Sequence, residues 1–200
     1  MDLSIALEKS KQWMILCWNL VDGASFVASH RTRVVASLHH LCIEHHSGIV
    51  LLCDNGVHGS AFALHRPQFE AYIRGAWFHH CADDQQIQKF LDGNDPPKVD
   101  DMIRQLETLE PFKGGMLSRA KMETWRSMNA FTHGGAIQIK ARNTSDEIVQ
   151  SFTSEHVAGL LTTAATLALL AGVGIAEVAE QTSLAIDLQA GYRSIYGAAK

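Results

Sequence analysis

The twenty residues from Val157 to Ala176 carry no charge, and no other stretch restricts the fold as tightly. A run of that length meets the requirement of about 20 apolar residues for crossing a bilayer. Its composition points elsewhere, because it is built mostly of Ala, Thr and Gly with a few Leu, far less apolar than a span rich in Leu, Ile and Phe. Thr162, Thr163 and Thr166 would each need a hydrogen-bond partner in lipid. Small residues instead let neighbouring helices approach closely, so this run is expected to form a helix inside a bundle, with no membrane partner.

Helical periodicity dominates the remainder, and no segment alternates apolar and polar residues over a strand length next to hairpin turn signals. The expected fold class is therefore all-α, a single-domain bundle of about seven or eight helices over residues 1–200, with loop breaks near 92–97 and 134–147. A first helix is expected over Leu3 to Val21, ending at Asp22-Gly23, and a second over Ser29 to Cys53, stopped by Asp54-Asn55-Gly56. The third, Gly59 to Ala82, contains Pro67, which removes an amide donor and should kink the helix or restart it near His65. Its apolar residues Phe62, Phe69, Tyr72, Ile73, Ala76, Trp77 and Phe78 point to nearly every side, as in a central buried helix. Short helices follow over Asp83 to Leu91 and Val99 to Leu109, then Met116 to His133. Ala136 to Arg142 is expected to be a brief extended piece, and the last helices cover about Ser154 to Gln181 and Thr182 to Tyr196.

The net charge of −4 argues against a protein that coats nucleic acid, so any such role must be local. Four cysteines without a CxxC pair, and a start that lacks a basic leader, place the chain in a reducing cytoplasm.

Chemistry concentrates in Arg126-Ser-Met-Asn-Ala-Phe-Thr-His133, closed by Gly134-Gly135. His133 lies about 20° around the helix from Arg126, and Asn129 sits between them at i+3. A core face of Leu117, Ala120, Thr124, Met128 and Phe131, flanked by Trp125, leaves the trio on the opposite side. A guanidinium, an imidazole and an amide suit an anionic substrate such as a phosphodiester. The plainer alternative is a solvated face on which His133 complements the helix C-terminal dipole ahead of a glycine cap.

The Arg-x6-His spacing in an all-helical chain of this size resembles the HEPN superfamily, with Ser127 where a different polar residue is more usual. That resemblance implies a metal-independent ribonuclease of toxin or anti-phage type, working as a homodimer on RNA, with a cognate antitoxin or defence partner. Arg126, Asn129 and His133 would be its catalytic residues, and no cofactor is implied. A second resemblance runs through His65-Arg-Pro-Gln-Phe-Glu-Ala-Tyr-Ile-Arg-Gly-Ala-Trp77 and Trp125 to Gly135. It is similar to an uncharacterised group of bacterial helical proteins, and it implies a fold without an activity.

Within that stretch Arg66, Glu70 and Arg74 stand at i, i+4 and i+8 and form an Arg-Glu-Arg ladder, with Trp77 beside Arg74 as a further supporting residue. On a helix apolar on most sides, part of the ladder must be buried, which is unfavourable unless the charges pair or serve a ligand. Structural pairing is one role for it. Orientation of His133 by Glu70 is another, if the two helices pack together.

Eleven histidines raise a metal reading, centred on His39, Cys42 and His46 with His79-His80-Cys81 from another helix. The spacing fits no zinc signature, and no metal is expected. Nucleophile elbows, phosphate loops and zincin motifs are absent. The alternatives to a ribonuclease are a non-catalytic module that assembles through Gly159, Gly172 or Gly174, and a binder of a small anionic ligand.

Overall fold

A computed structural model describes residues 2–197. Nine α-helices lie among them: α1 (Leu3–Val21), α2 (His30–Asp54), α3 (His58–His80), α4 (Asp84–Leu91), α5 (Val99–Leu106), α6 (Met116–Thr132), α7 (Ala136–Lys140), α8 (Ser154–Val178) and α9 (Thr182–Tyr196), with a 3-10 turn at Glu110–Phe112. The all-α bundle is as expected, with one helix more. The extra helix is α7, where an extended piece was predicted. Among the described residues no strand lies alongside to take its amides, so they turn inward, Ile139 N–H to Gly135 O at 3.1 Å and Ala141 N–H to Ile137 O at 3.1 Å. The pairing that does form nearby is a single bridge between Asn143 and Ile148.

Local chemistry sets the helix ends. Ser29 and Thr32 cap α2 reciprocally, and Asp83 and Gln86 do the same for α4, each arrangement satisfying orphan amides of a first turn. Gly134 adopts a left-handed φ of 66°, which lets Gly135 N–H fold back onto Ala130 O at 2.7 Å. This Schellman turn ends α6 and leaves His133 as its last, half-helical residue.

The uncharged run forms α8, which α1, α2, α3 and α9 surround. It is long and apolar enough to span a bilayer, yet 61% of its most apolar window is buried inside the bundle. Its threonines need no outside partner. Thr162, Thr163 and Thr166 hydroxyls donate to the carbonyls four residues back, at 2.9, 2.9 and 3.0 Å. Small residues admit neighbours as anticipated: Gly172 meets Leu188, and Gly174 meets the ring of His39.

The main core gathers Trp13, Ile43, Ile73, Trp77, Phe78, Leu106 and Leu188, and a smaller one collects Ile49, Val50, Ala61 and Leu161. Each buried Ile, Leu, Val or Phe among them contributes about 1.5–3 kcal/mol by leaving water. α3 is central, as its pattern predicts, and it runs unbroken past Pro67. The missing amide of Pro67 frees the Ala63 carbonyl from its helical partner. The Thr132 hydroxyl, bonded to Met128 O at 2.9 Å, also reaches that carbonyl at 3.4 Å. The proline that was expected to bend or restart α3 thereby offers α6 a docking point.

Candidate functional site

α3 and α6 pack antiparallel. Phe62 stacks on Phe131 with centroids 4.6 Å apart, Thr132 reaches Ala63, and Phe69 meets the edge of Trp125 at 6.5 Å. Phe152 joins the aromatic stack against Phe62 at 5.2 Å. These apolar contacts fix the height of the two helices. Along the seam above them run two polar stripes.

On α3 the ladder forms as its spacing predicts. Arg66 Nε donates to Glu70 Oε1 at 2.8 Å, and Arg74 Nη2 donates to Glu70 Oε2 at 3.2 Å. Side-chain exposures of 24%, 18% and 35% for Arg66, Glu70 and Arg74 make the ladder half-buried. At that exposure a pair on one helix is worth only about 0.3–0.5 kcal/mol. Its main effect is therefore positional: one carboxylate holds two guanidinium groups.

Arg66 then crosses to α6. Its Nη1 lies 2.6 Å from His133 Nε2, and its Cζ stands 4.9 Å from the centre of the Trp125 ring. A guanidinium has only donors to offer, so Nε2 accepts and the ring hydrogen of His133 sits on Nδ1. Lys121 Nζ is also 4.4 Å from the Trp125 ring centre, and it pairs with Asp100 at 2.6 Å. Such cation–π contacts are worth about 0.5–1 kcal/mol at partly exposed sites. The helices thus bring together Arg66, Glu70, Arg74, Trp125 and His133.

The predicted trio is divided. Trp125, Asn129 and His133, spaced i, i+4 and i+8, run along the side of α6 that holds the contacts to Arg66. Arg126 is exposed one position further round and lines an open groove with Asn129, Lys121, Arg104 and Asp100. His133 is absent from that groove, so Arg126 and His133 sit about 10 Å apart along the helix with different neighbours. Asn129 stands between the two settings, with a buried Oδ1 that has no partner among the described residues.

Two supporting assignments change. Trp77 does not join the ladder, because it is fully buried and its Nε1 donates to Gln105 Oε1 at 2.9 Å. Three residues beyond Arg74 is about 60° round the helix, enough to carry the ring off the ladder and into the core. The aromatic ring beside the ladder is that of Trp125, expected as a flank of the core face. Glu70, proposed as an orienter of His133, reaches it through Arg66.

The histidine-rich face of α2 is core. Burial holds His39 and His46 neutral, with pKa values lowered to about 4 and about 3, and does the same to His65 on α3, lowered to about 4. The Cys42 thiol donates to Leu167 O at 3.6 Å, and neither ring nitrogen of His46 has a partner among the described residues. His39, Cys42 and His46 therefore do not assemble as ligands; His39 packs against Gly75 and Gly174.

Residues 39–197 match the model of a family described as a family of unknown function, DUF6988. The matched span includes both polar stripes. None of the curated proteins and none of the solved structures compared matches the chain.

Proposed function

The chain belongs to the family of unknown function DUF6988, and from its own geometry we propose that it is a HEPN-like, metal-independent ribonuclease whose site is the α3–α6 seam. The observation that supports this reading is the 2.6 Å contact between Arg66 Nη1 and His133 Nε2. In this reading Arg66 is a fixed cation, held by Glu70, and His133 beside it is the proton-transfer group. An anion arriving at the seam competes for Arg66. When the guanidinium turns to the phosphate, the Nε2 lone pair is released to take the proton of a ribose 2′-hydroxyl. The 2′-oxygen bonds to phosphorus, the P–O5′ bond breaks, and the imidazolium returns the proton to the departing 5′-oxygen. The products are a 2′,3′-cyclic phosphate and a 5′-hydroxyl. Arg66 stabilises the phosphorane charge, and Arg126, exposed on the next groove, holds a neighbouring phosphate of the same strand.

In this reading the protein is a homodimer. Met116 and Met122 are 60% and 77% exposed on α6, apolar surface that a second copy would cover. A cognate antitoxin would compete for the same face.

The test is RNA cleavage by purified protein in the presence of a chelator. Cleavage to cyclic-phosphate ends, lost in His133→Ala with the helical circular dichroism retained, supports the reading. No cleavage across structured and unstructured RNAs overturns it. Arg126 and Lys121 in an open groove favour binding of a small anionic ligand as the second reading. It predicts a thermal shift with nucleotides or inorganic phosphate that depends on Arg126 and not on His133.

A further inference from the structure

At the far end of α3, well away from the Arg66–His133 contact in sequence, a second group of side chains converges. His80 Nε2 lies 3.4 Å and His79 Nε2 3.9 Å from Glu177 Oε2 of α8. All three potential donor atoms lie within 4.8 Å of one another. We propose that His79, His80 and Glu177 form a binding site for a zinc-type divalent cation, with a fourth coordination position open to an apolar cavity.

Four observations carry this. The donor set is two imidazoles and one carboxylate, a borderline N2O combination that suits Zn2+. Donors bound at about 2.1 Å around a tetrahedral ion stand about 3.4 Å apart; His80 already meets that spacing to Glu177 and His79 comes close to it, and rotation of the side chains brings the remaining pair, within 4.8 Å, onto the same ion. The histidines are also held in place. Arg31 Nη1 donates to Phe78 O at 2.7 Å and to Ala82 O at 2.6 Å, clamping the backbone on either side of the pair, while Asp84 answers its charge at 2.8 Å. The His80 ring packs edge-on to Phe112 at 5.4 Å. Finally, the site lies in the last turn of α3, where the helix dipole favours a cation.

His80 and Glu177 also line a cavity of about 370 Å³ between α3, α6 and α8, walled by Phe112, Met116, Leu170 and other apolar side chains. Buried His39 also lines it, with an Nδ1 that has no partner among the described residues. An ion at the mouth would keep three protein ligands and one position directed at this space, the arrangement of an open rather than a closed zinc site. The half-exposed Glu177 side chain gives the ion a path in from solvent.

The experiment uses the untagged full chain, stripped with chelator and titrated with Zn2+ by calorimetry and with Co2+ by visible absorption. Expected are one ion per chain, the intense visible bands of four-coordinate Co2+, and a raised melting temperature. Glu177→Gln and His80→Asn should each weaken uptake at least tenfold, and His133→Ala should leave it unchanged. Glu177 lies on the surface, so Glu177→Gln keeps the core intact, and its circular dichroism verifies that. Absence of saturable one-to-one binding overturns the proposal, as does uptake that survives both substitutions.

Discussion

Gly75 and His39 stand so close that a β-carbon on the glycine would lie 2.8 Å from Cε1 of the imidazole. Gly174 presses on the same ring from α8. Three helices therefore meet at one buried side chain with no room for a methyl group. Gly75→Ala or Gly174→Ala should overpack this junction and cost about 1–3 kcal/mol, read as a lower urea midpoint. Adding His39→Ala should restore part of the loss, and simple additivity of the two changes would refute the steric account.

Acid should unfold the protein early. His39, His46 and His65 have pKa values of about 4, 3 and 4 in the fold against an ordinary value near 6.5, burial being the cause. As pH falls below about 6.5 the unfolded chain takes up protons that the native state refuses, so stability falls with pH. Each histidine contributes a slope of about 1 kcal/mol per pH unit down to its folded pKa, where its contribution levels off. Urea midpoints at pH 7.5, 6 and 5 measure this. His46→Leu, which removes two buried nitrogens that have no partner among the described residues, should flatten the slope and be neutral or stabilising at pH 7. An unchanged slope in that variant would count against burial as the cause.

Glu70→Gln tests the ladder as a positioning device. Loss of the carboxylate charge loosens Arg66 and Arg74 together, so the proposed RNA cleavage should fall about 10- to 100-fold, as when a group that orients a site residue is removed. Stability should change by less than about 1 kcal/mol. A large stability loss with proportionate activity loss would mean that the ladder is structural only.

Trp77→Phe should behave in the opposite way. Removing the indole leaves Gln105 Oε1 without its donor and trims a fully buried ring, for a cost of about 1–3 kcal/mol. RNA or anion binding by the folded variant should be unaltered. Trp125→Phe should weaken binding while sparing the core, since its ring lies beneath Arg66 and Lys121.

Much of the fold was readable because the signals were local. The helix starts at Ser29 and Asp83, the stop at Asp54-Asn55-Gly56, and the small-residue run of α8 each act within a few residues of themselves. α7 was misread because a strand needs a partner, and whether one lies alongside is not a property of five residues. The ladder of Arg66, Glu70 and Arg74 was legible from i+4 spacing alone. On α6 the spacing put Arg126 outward and Trp125 on the flank of the core face, as they stand. What the spacing could not supply is the partner: only the packing of α3 against α6 brings Arg66 over Trp125 and beside His133. The convergence of His79, His80 and Glu177, nearly a hundred residues apart, leaves no trace in spacing at all.

Pro67 has one further effect. The carbonyl it leaves open on Ala63 is the acceptor that Thr132 reaches, and the next residue along α6 is His133. The height of the imidazole is thus keyed to a gap in another helix's backbone. Were α6 to slip by a turn, Arg66 would lose its neighbour and the open carbonyl would lose its hydroxyl at the same moment. A defect in one helix thereby acts as a registration mark for the other.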